Sequence, residues 1–122
     1  MADARKSYII PAFVGGHPVV QEPITLVNAT AAEVTLLAGT VLGRITASRK
    51  YAAHAPAASD GSESARRILV EDVTIPASGE AKTVAYSHGE FRAAGLTWAS
   101  GITTTQKNTA IDSLADAGLF VK

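Results

Sequence analysis

The chain has 122 residues, in which 11 Lys and Arg balance 11 Asp and Glu, and it contains 3 His and no cysteine. A neutral chain of this size reads as one domain, without the basic footprint of a duplex-binding protein or of an anionic-membrane binder. Without cysteine it can hold neither disulfides nor thiolate metal sites, which fits synthesis in a reducing cytoplasm, and its apolar runs are broken too soon by Pro, Gly or Thr to span a bilayer.

The first segment is defined by what it lacks. Ser7 to Gln21 contains no Asp, Glu, Lys or Arg, yet carries Tyr8, Ile9, Ile10, Phe13, Val14, Val19 and Val20 among Pro11, Gly15, Gly16 and Pro18. Prolines and glycines at that spacing exclude a helix and favour an extended path. Arg5 and Lys6 precede the apolar patch as in a signal peptide, but Pro11 cuts the patch short and no small-x-small cleavage site follows. Ordering such a segment costs backbone entropy comparable to what burial of its side chains returns, so it orders only where apolar pockets and strand partners are both supplied. Either the protein's own sheet or a partner's exposed sheet edge would do so. The expected organisation is an extended N-terminal arm over residues 1–23 and a β domain over residues 24–122.

From Ile24 the pattern is one of short strands. Ile24 and Leu26 alternate, Asn28-Ala29-Thr30 reads as a turn, and Val34-Leu36 leads into Gly39-Thr40-Val41-Leu42-Gly43-Arg44-Ile45. In that run Val41 and Ile45 share one face and Leu42, Arg44 and Thr46 the other, and a mid-strand glycine at 43 marks a bulge or a close backbone approach. Ala47-Ser48-Arg49 makes a hairpin tip returning to Tyr51. Residues 52–65 carry little bulk and read as an exposed loop. Ile68-Leu69-Val70 is a buried strand expected to run on through Glu71-Asp72 into Val73-Thr74-Ile75, followed by a turn at Pro76 to Gly79. Lys82, Val84 and Tyr86 then alternate with Thr83, Ala85 and Ser87 in a strand closing at His88-Gly89.

The last third reads as strand, turn, helix, strand. Phe91, Leu96 and the single Trp98 sit in a short alternation bracketed by Gly89 and Gly95. Thr103 with Gln106 three residues on is a capping box opening a helix near residues 104–117. Ile111, Leu114 and Ala115 form its apolar face, opposite Asn108, Asp112 and Asp116. Gly118 stands where a left-handed cap is wanted, before the β-prone Leu119-Phe120-Val121.

Three stretches carry a family likeness: Leu37-Ala-Gly39-Thr-Val-Leu-Gly43 with Tyr51; Ile68-Leu69-Val70-x-Asp72-Val73; and Gly89-x-Phe91, Leu96-x-Trp98, the Thr-rich approach to the helix and the terminal Gly118-x-x-Val121. Their order resembles that of the head decoration protein D family, the small capsid-cementing proteins of tailed bacteriophages, over roughly residues 36–122. The resemblance implies a mainly β fold with one short C-terminal helix, a β-clip-like bent ribbon or incomplete barrel. It also implies a homotrimer on the outer capsid surface of the virion, bound to the major capsid protein at local three-fold sites after expansion and stabilising the shell against packaged DNA. The resemblance does not reach the arm, so Tyr8, Ile9, Ile10, Phe13, Val14, Val19 and Val20 are candidate capsid-binding residues by position and chemistry alone. Trp98, Arg66 and Arg67 are candidate trimer-interface residues, with a core anchor as the competing role for Trp98 and a solvated edge for the arginines.

Chemistry-bearing constellations are thin. His17, His54 and His88 are read as lying in three different loops, none with a second ligand at metal-site spacing. Ser87-His88 with Glu90 lacks the glycine frame of a nucleophile elbow. Gly15-Gly16 and Gly39-x-x-x-Gly43 lack the Lys-Ser/Thr of a phosphate loop. Asp112 and Asp116 read as a solvated helix face. The chain is therefore read as a structural protein and not an enzyme, with no cofactor, metal, nucleic acid, membrane or small-molecule substrate; a soluble ligand-binding or enzymatic β-clip domain is the alternative.

Overall fold

The computed structural model describes residues 19–122. The alternation around Ile24 becomes strand β1 (Val20–Val27), in which Ile24 and Leu26 are buried while Gln21 and Pro23 face solvent. β2 (Val34–Leu36), β3 (Val41–Arg44), β4 (Tyr51–Ala53), β5 (Ala65–Leu69), β6 (Val73–Ile75) and β7 (Glu80–Phe91) follow, then helix α1 (Thr104–Asp116) and β8 (Leu119–Val121). β1, β4, β3, β5 and β7 are neighbours in that order, and β1 also pairs with β7, so five strands close into a barrel. β8 lies parallel to the end of β7 as an extra strand, while β2 and β6 form a separate antiparallel pair. The expected mainly β class with one helix near the C-terminus is borne out, and the bent ribbon wraps far enough to close. One seam is thin: β1 meets β4 only at Leu26↔Tyr51, whereas its antiparallel register with β7 runs from Val20↔His88 to Val27↔Glu80.

Period-two alternation in β3 splits the apolar residues between two cores. Leu42 joins Ile24, Leu26, Tyr51, Leu69 and Ala85, drawn from all five barrel strands, with Ile75 of β6. Val41 faces the other way, into a cluster with Ile68, Tyr86, Phe91, Leu96, Ala110, Leu114 and Leu119, which seats α1 and β8 on the sheet. Gly43 fulfils both readings of a mid-strand glycine. The register with β5 shifts between Leu42 and Gly43, and a Cβ at Gly43 would lie 2.4 Å from the Ser62 carbonyl oxygen.

α1 starts where its capping box puts it. The Thr103 hydroxyl accepts from the Gln106 backbone N–H at 3.1 Å, and the Gln106 side-chain oxygen accepts from the Thr103 N–H at 3.0 Å. These bonds satisfy donors that the first turn leaves without partners. Thr103→Ala should therefore lower stability by about 1 kcal/mol, read as a small shift of the urea midpoint with an unchanged slope. Ala110 and Leu114 are buried, Asn108, Asp112 and Asp116 are exposed, and Gly118 takes the left-handed conformation at φ 98° before β8.

Several expectations are corrected. β5 does not run through Glu71-Asp72: the Asp72 carboxylate accepts from the Ala38 N–H at 2.7 Å, and β6 turns away to pair with β2. β7 does not close at Gly89 but continues to Phe91, because β8 pairs with it from Gly89↔Leu119 to Phe91↔Val121. Ala93–Gly95 is a 3-10 turn rather than strand. The loop between β4 and β5 is not a loose excursion, since His54 and Ser62 are buried within it. Residues 20–23, counted with the arm from sequence, lie in β1; Pro23 is tolerated because β1 has no strand partner beside it on the β4 side.

Candidate functional site

Of the candidate arm residues, Tyr8, Ile9, Ile10, Phe13 and Val14 lie outside the described residues, and Val19 and Val20 form the described root. Val20 is 51% exposed and Val19 38%, and with Leu37 at 52% they are the exposed large apolar side chains of the described residues. The backbone here is held although the side chains are exposed. Val20 pairs with His88, its carbonyl accepts from the Ser87 hydroxyl at 3.3 Å, and the register slips between Val20 and Gln21. A Cβ at Gly89, φ 150°, would lie 2.9 Å from Val19 Cγ1 and 3.0 Å from Phe91 Cζ. The root thus runs beside β7 past Gly89, whose missing Cβ leaves room for Val19 next to a core phenylalanine. Gly89 was visible in sequence only as a boundary, which is the usual meaning of a glycine beside a strand.

The candidate interface residues have separate surroundings. Trp98 is half-buried against the helix-side core; its indole N–H donates to the Ala93 carbonyl at 3.1 Å, and the Lys107 ammonium sits 5.0 Å from the ring. Arg66 and Arg67 are successive on β5, where the register with β3 slips so that Arg66 is the unpaired residue of a bulge. Arg66 is exposed and lines a dent of about 250 Å³ with Ser64, Ser113 and Asp116. Arg67 is engaged: its Nε donates to the Glu22 carboxylate at 2.7 Å, with side-chain exposures of 18% and 36%. That pair clips β5 to β1 across the intervening β7.

Catalytic arrangements are not assembled by these positions. Ser87 spends its hydroxyl on the arm root, Glu90 is ion-paired with Lys122 at 2.7 Å, and His88 meets the Phe120 ring edge-on at 5.9 Å. Among the described residues no group of three His, Asp or Glu could hold a metal, and no helix is long and apolar enough to cross a membrane. A larger concavity of about 580 Å³ lies at the β1–β4 seam, lined by Glu22, Thr25, Arg49, Lys50, Tyr51 and Lys82 among others; it is a wide surface groove in which Lys50 is ion-paired to Glu80.

These features define a small closed β barrel with a docked helix, whose described surface offers open grooves and an exposed apolar root at the start of its first strand. The sequence profile of the family described as bacteriophage lambda head decoration protein D matches residues 18–119, and the chain belongs to that family. It is thus a phage head decoration protein, associated with the virion capsid. The match begins at residue 18, so it covers the barrel, helix and root. No curated protein sequence matches the chain.

Proposed function

We propose that this protein binds as homotrimers to the outer surface of the expanded capsid, at local three-fold sites, and cements neighbouring major capsid subunits against the pressure of packaged DNA. Family membership over residues 18–119 is the observation that carries this reading. The mechanism rests on the arm. Ser7 to Gln21 is free of charged residues and rich in apolar side chains, and its last residues leave the barrel along β7 with exposed valines. An extended segment of this kind binds by adding a strand to a partner's open sheet edge, where main-chain hydrogen bonds supply affinity and alternate side chains fill pockets. Tyr8, Ile9, Ile10, Phe13, Val14, Val19 and Val20 are assigned to that contact. Because only the expanded lattice would expose the matching edge, binding is coupled to capsid state. Trp98 and Arg66 are assigned to contacts between subunits of the trimer; Arg67, already held by Glu22, braces the barrel beside them.

The reading is tested by co-sedimentation of the full-length protein with expanded and unexpanded shells of its own phage, with the oligomeric state followed by light scattering. Binding to expanded shells alone, saturating in multiples of three copies per site, is the expected result. Failure to bind either shell would overturn it and favour ligand binding at the β1–β4 groove.

A further inference from the structure

The loop between β4 and β5 is closed over a histidine. His54 is 4% exposed, and its backbone N–H donates to the Val41 carbonyl at 2.9 Å. Its Nε2 lies 3.0 Å from the Glu63 carbonyl oxygen, which can only accept, so Nε2 carries the proton and Nδ1 presents a bare lone pair. Among the described residues Nδ1 is the buried side-chain nitrogen or oxygen with no hydrogen-bond partner. Around the ring the loop is stitched shut: Ala55 N–H to the Ser62 carbonyl at 3.0 Å, Thr46 N–H to the Asp60 carbonyl at 2.9 Å, and Ser64 N–H to the Gly61 carbonyl at 3.2 Å. It also lies flat on β3, where the Ser62 backbone fills the place of a Gly43 side chain and Gly61, φ 111°, sits against the Arg44 carbonyl.

We infer that this loop, residues 54–64, is a latch that stays closed while His54 is neutral and opens when the ring is protonated. A second proton would go to Nδ1, creating a buried N–H⁺ with nothing to receive it. The charged side chains on the segments that hold the ring do not meet it. In the loop, the Asp60 carboxylate accepts from the Ser62 N–H and hydroxyl at 3.0 and 2.6 Å, and the Glu63 carboxylate accepts from the Gly61 N–H at 2.8 Å. On β5, Arg67 is held by Glu22 and Arg66 is exposed; these and Arg44, at the end of β3, are cations that cannot accept a proton from the ring. Burial accordingly holds the His54 pKa below the ordinary histidine value, against a smaller opposing effect of the Glu63 carbonyl. The sign follows: with a folded-state pKa below the unfolded one, closure has its full stability above about pH 6.5 and loses it as pH falls toward and through the lower folded value. An opened loop would uncover the Gly43–Arg44 backbone of β3 and leave the β1–β7 pairing untouched.

The test is an NMR titration of the full-length chain from about pH 7.5 to about pH 5, following the His54 ring and the exchange of the Ala55, Thr46 and Ser64 amides, corrected for intrinsic rates. Protection of these three should fall about tenfold or more as His54 titrates, with Ile24 and Leu26 unchanged, and His54→Gln should remove the pH dependence. Loop protection that stays constant over this range, whether or not His54 titrates, overturns the latch, as does opening at a pH where His54 stays neutral. Both of these outcomes are read on the wild-type chain, so they hold even if the variant folds poorly.

Discussion

A chain beginning at Gln21 is expected to lose attachment to expanded shells while keeping nearly the same melting transition. Each trimer would present three arms, and once one is docked the others bind at high effective concentration. Removing even about 2 kcal/mol per arm then removes about 6 kcal/mol in all, roughly four orders of magnitude in attachment. The cost to the barrel is small by comparison. The truncation deletes the Val20↔His88 pair and the packing of Val19 on Gly89, leaves the register from Gln21↔Tyr86 to Val27↔Glu80 intact, and touches neither buried cluster. A loss within about 1 kcal/mol is expected, as for other changes at exposed strand ends. Co-sedimentation and calorimetry on the same preparation separate the two effects. Retained binding would move the capsid contact to the body, where Leu37 and the Trp98–Lys107 surface are the exposed or half-exposed features available.

What was legible in sequence was what local chemistry decides. The Thr103–Gln106 box, the Gly118 cap and β8 follow from backbone groups that must be satisfied within a few residues, and each is found where the residues put it, whereas of the apolar stripe read as Ile111, Leu114 and Ala115 only Leu114 is fully buried, with Ala110 beside it. Gly43 was legible in kind, as a bulge or close approach, although nothing local could say that Ser62 is what approaches. The misreadings share a cause. Glu71-Asp72 looks like the polar turn of a strand that continues, and only the distant Ala38 N–H and β2 make it a break. The Ala- and Ser-rich loop looks too small to pack, yet small residues are what allow it to lie against a glycine and bury His54. Arg67 reads as half of an exposed basic pair until Glu22, two strands away, claims it. The arm root was legible as apolar and uncharged; its passage over Gly89 depends on a pairing with β7 that no local signal carries.

Phe91→Ala is expected to damage the domain far more than loss of the helix cap or the arm root, at about 3–5 kcal/mol, a large part of the roughly 5–15 kcal/mol that holds a domain together. Phe91 is fully buried where three things meet. Its ring packs against Tyr86 at 5.2 Å with a 55° tilt, its residue pairs with Val121 of β8, and its carbonyl accepts from the Lys122 N–H at 2.9 Å. The same ring fills the space beside Gly89 over which the arm root passes. Truncation would leave a cavity between the sheet and α1 that β8, three residues long, is too short to collapse into. The melting temperature should drop by about 10–20 °C. Location gives a sharper expectation than magnitude: amides of α1 and Leu119–Val121 should lose protection before those of β1 and the facing half of β7, since the barrel cluster does not include Phe91. Phe120→Ala, which removes a half-buried ring edge-on to His88, should cost distinctly less, and comparable losses for the two would mean that β8 docks through its own face and not through the core it covers.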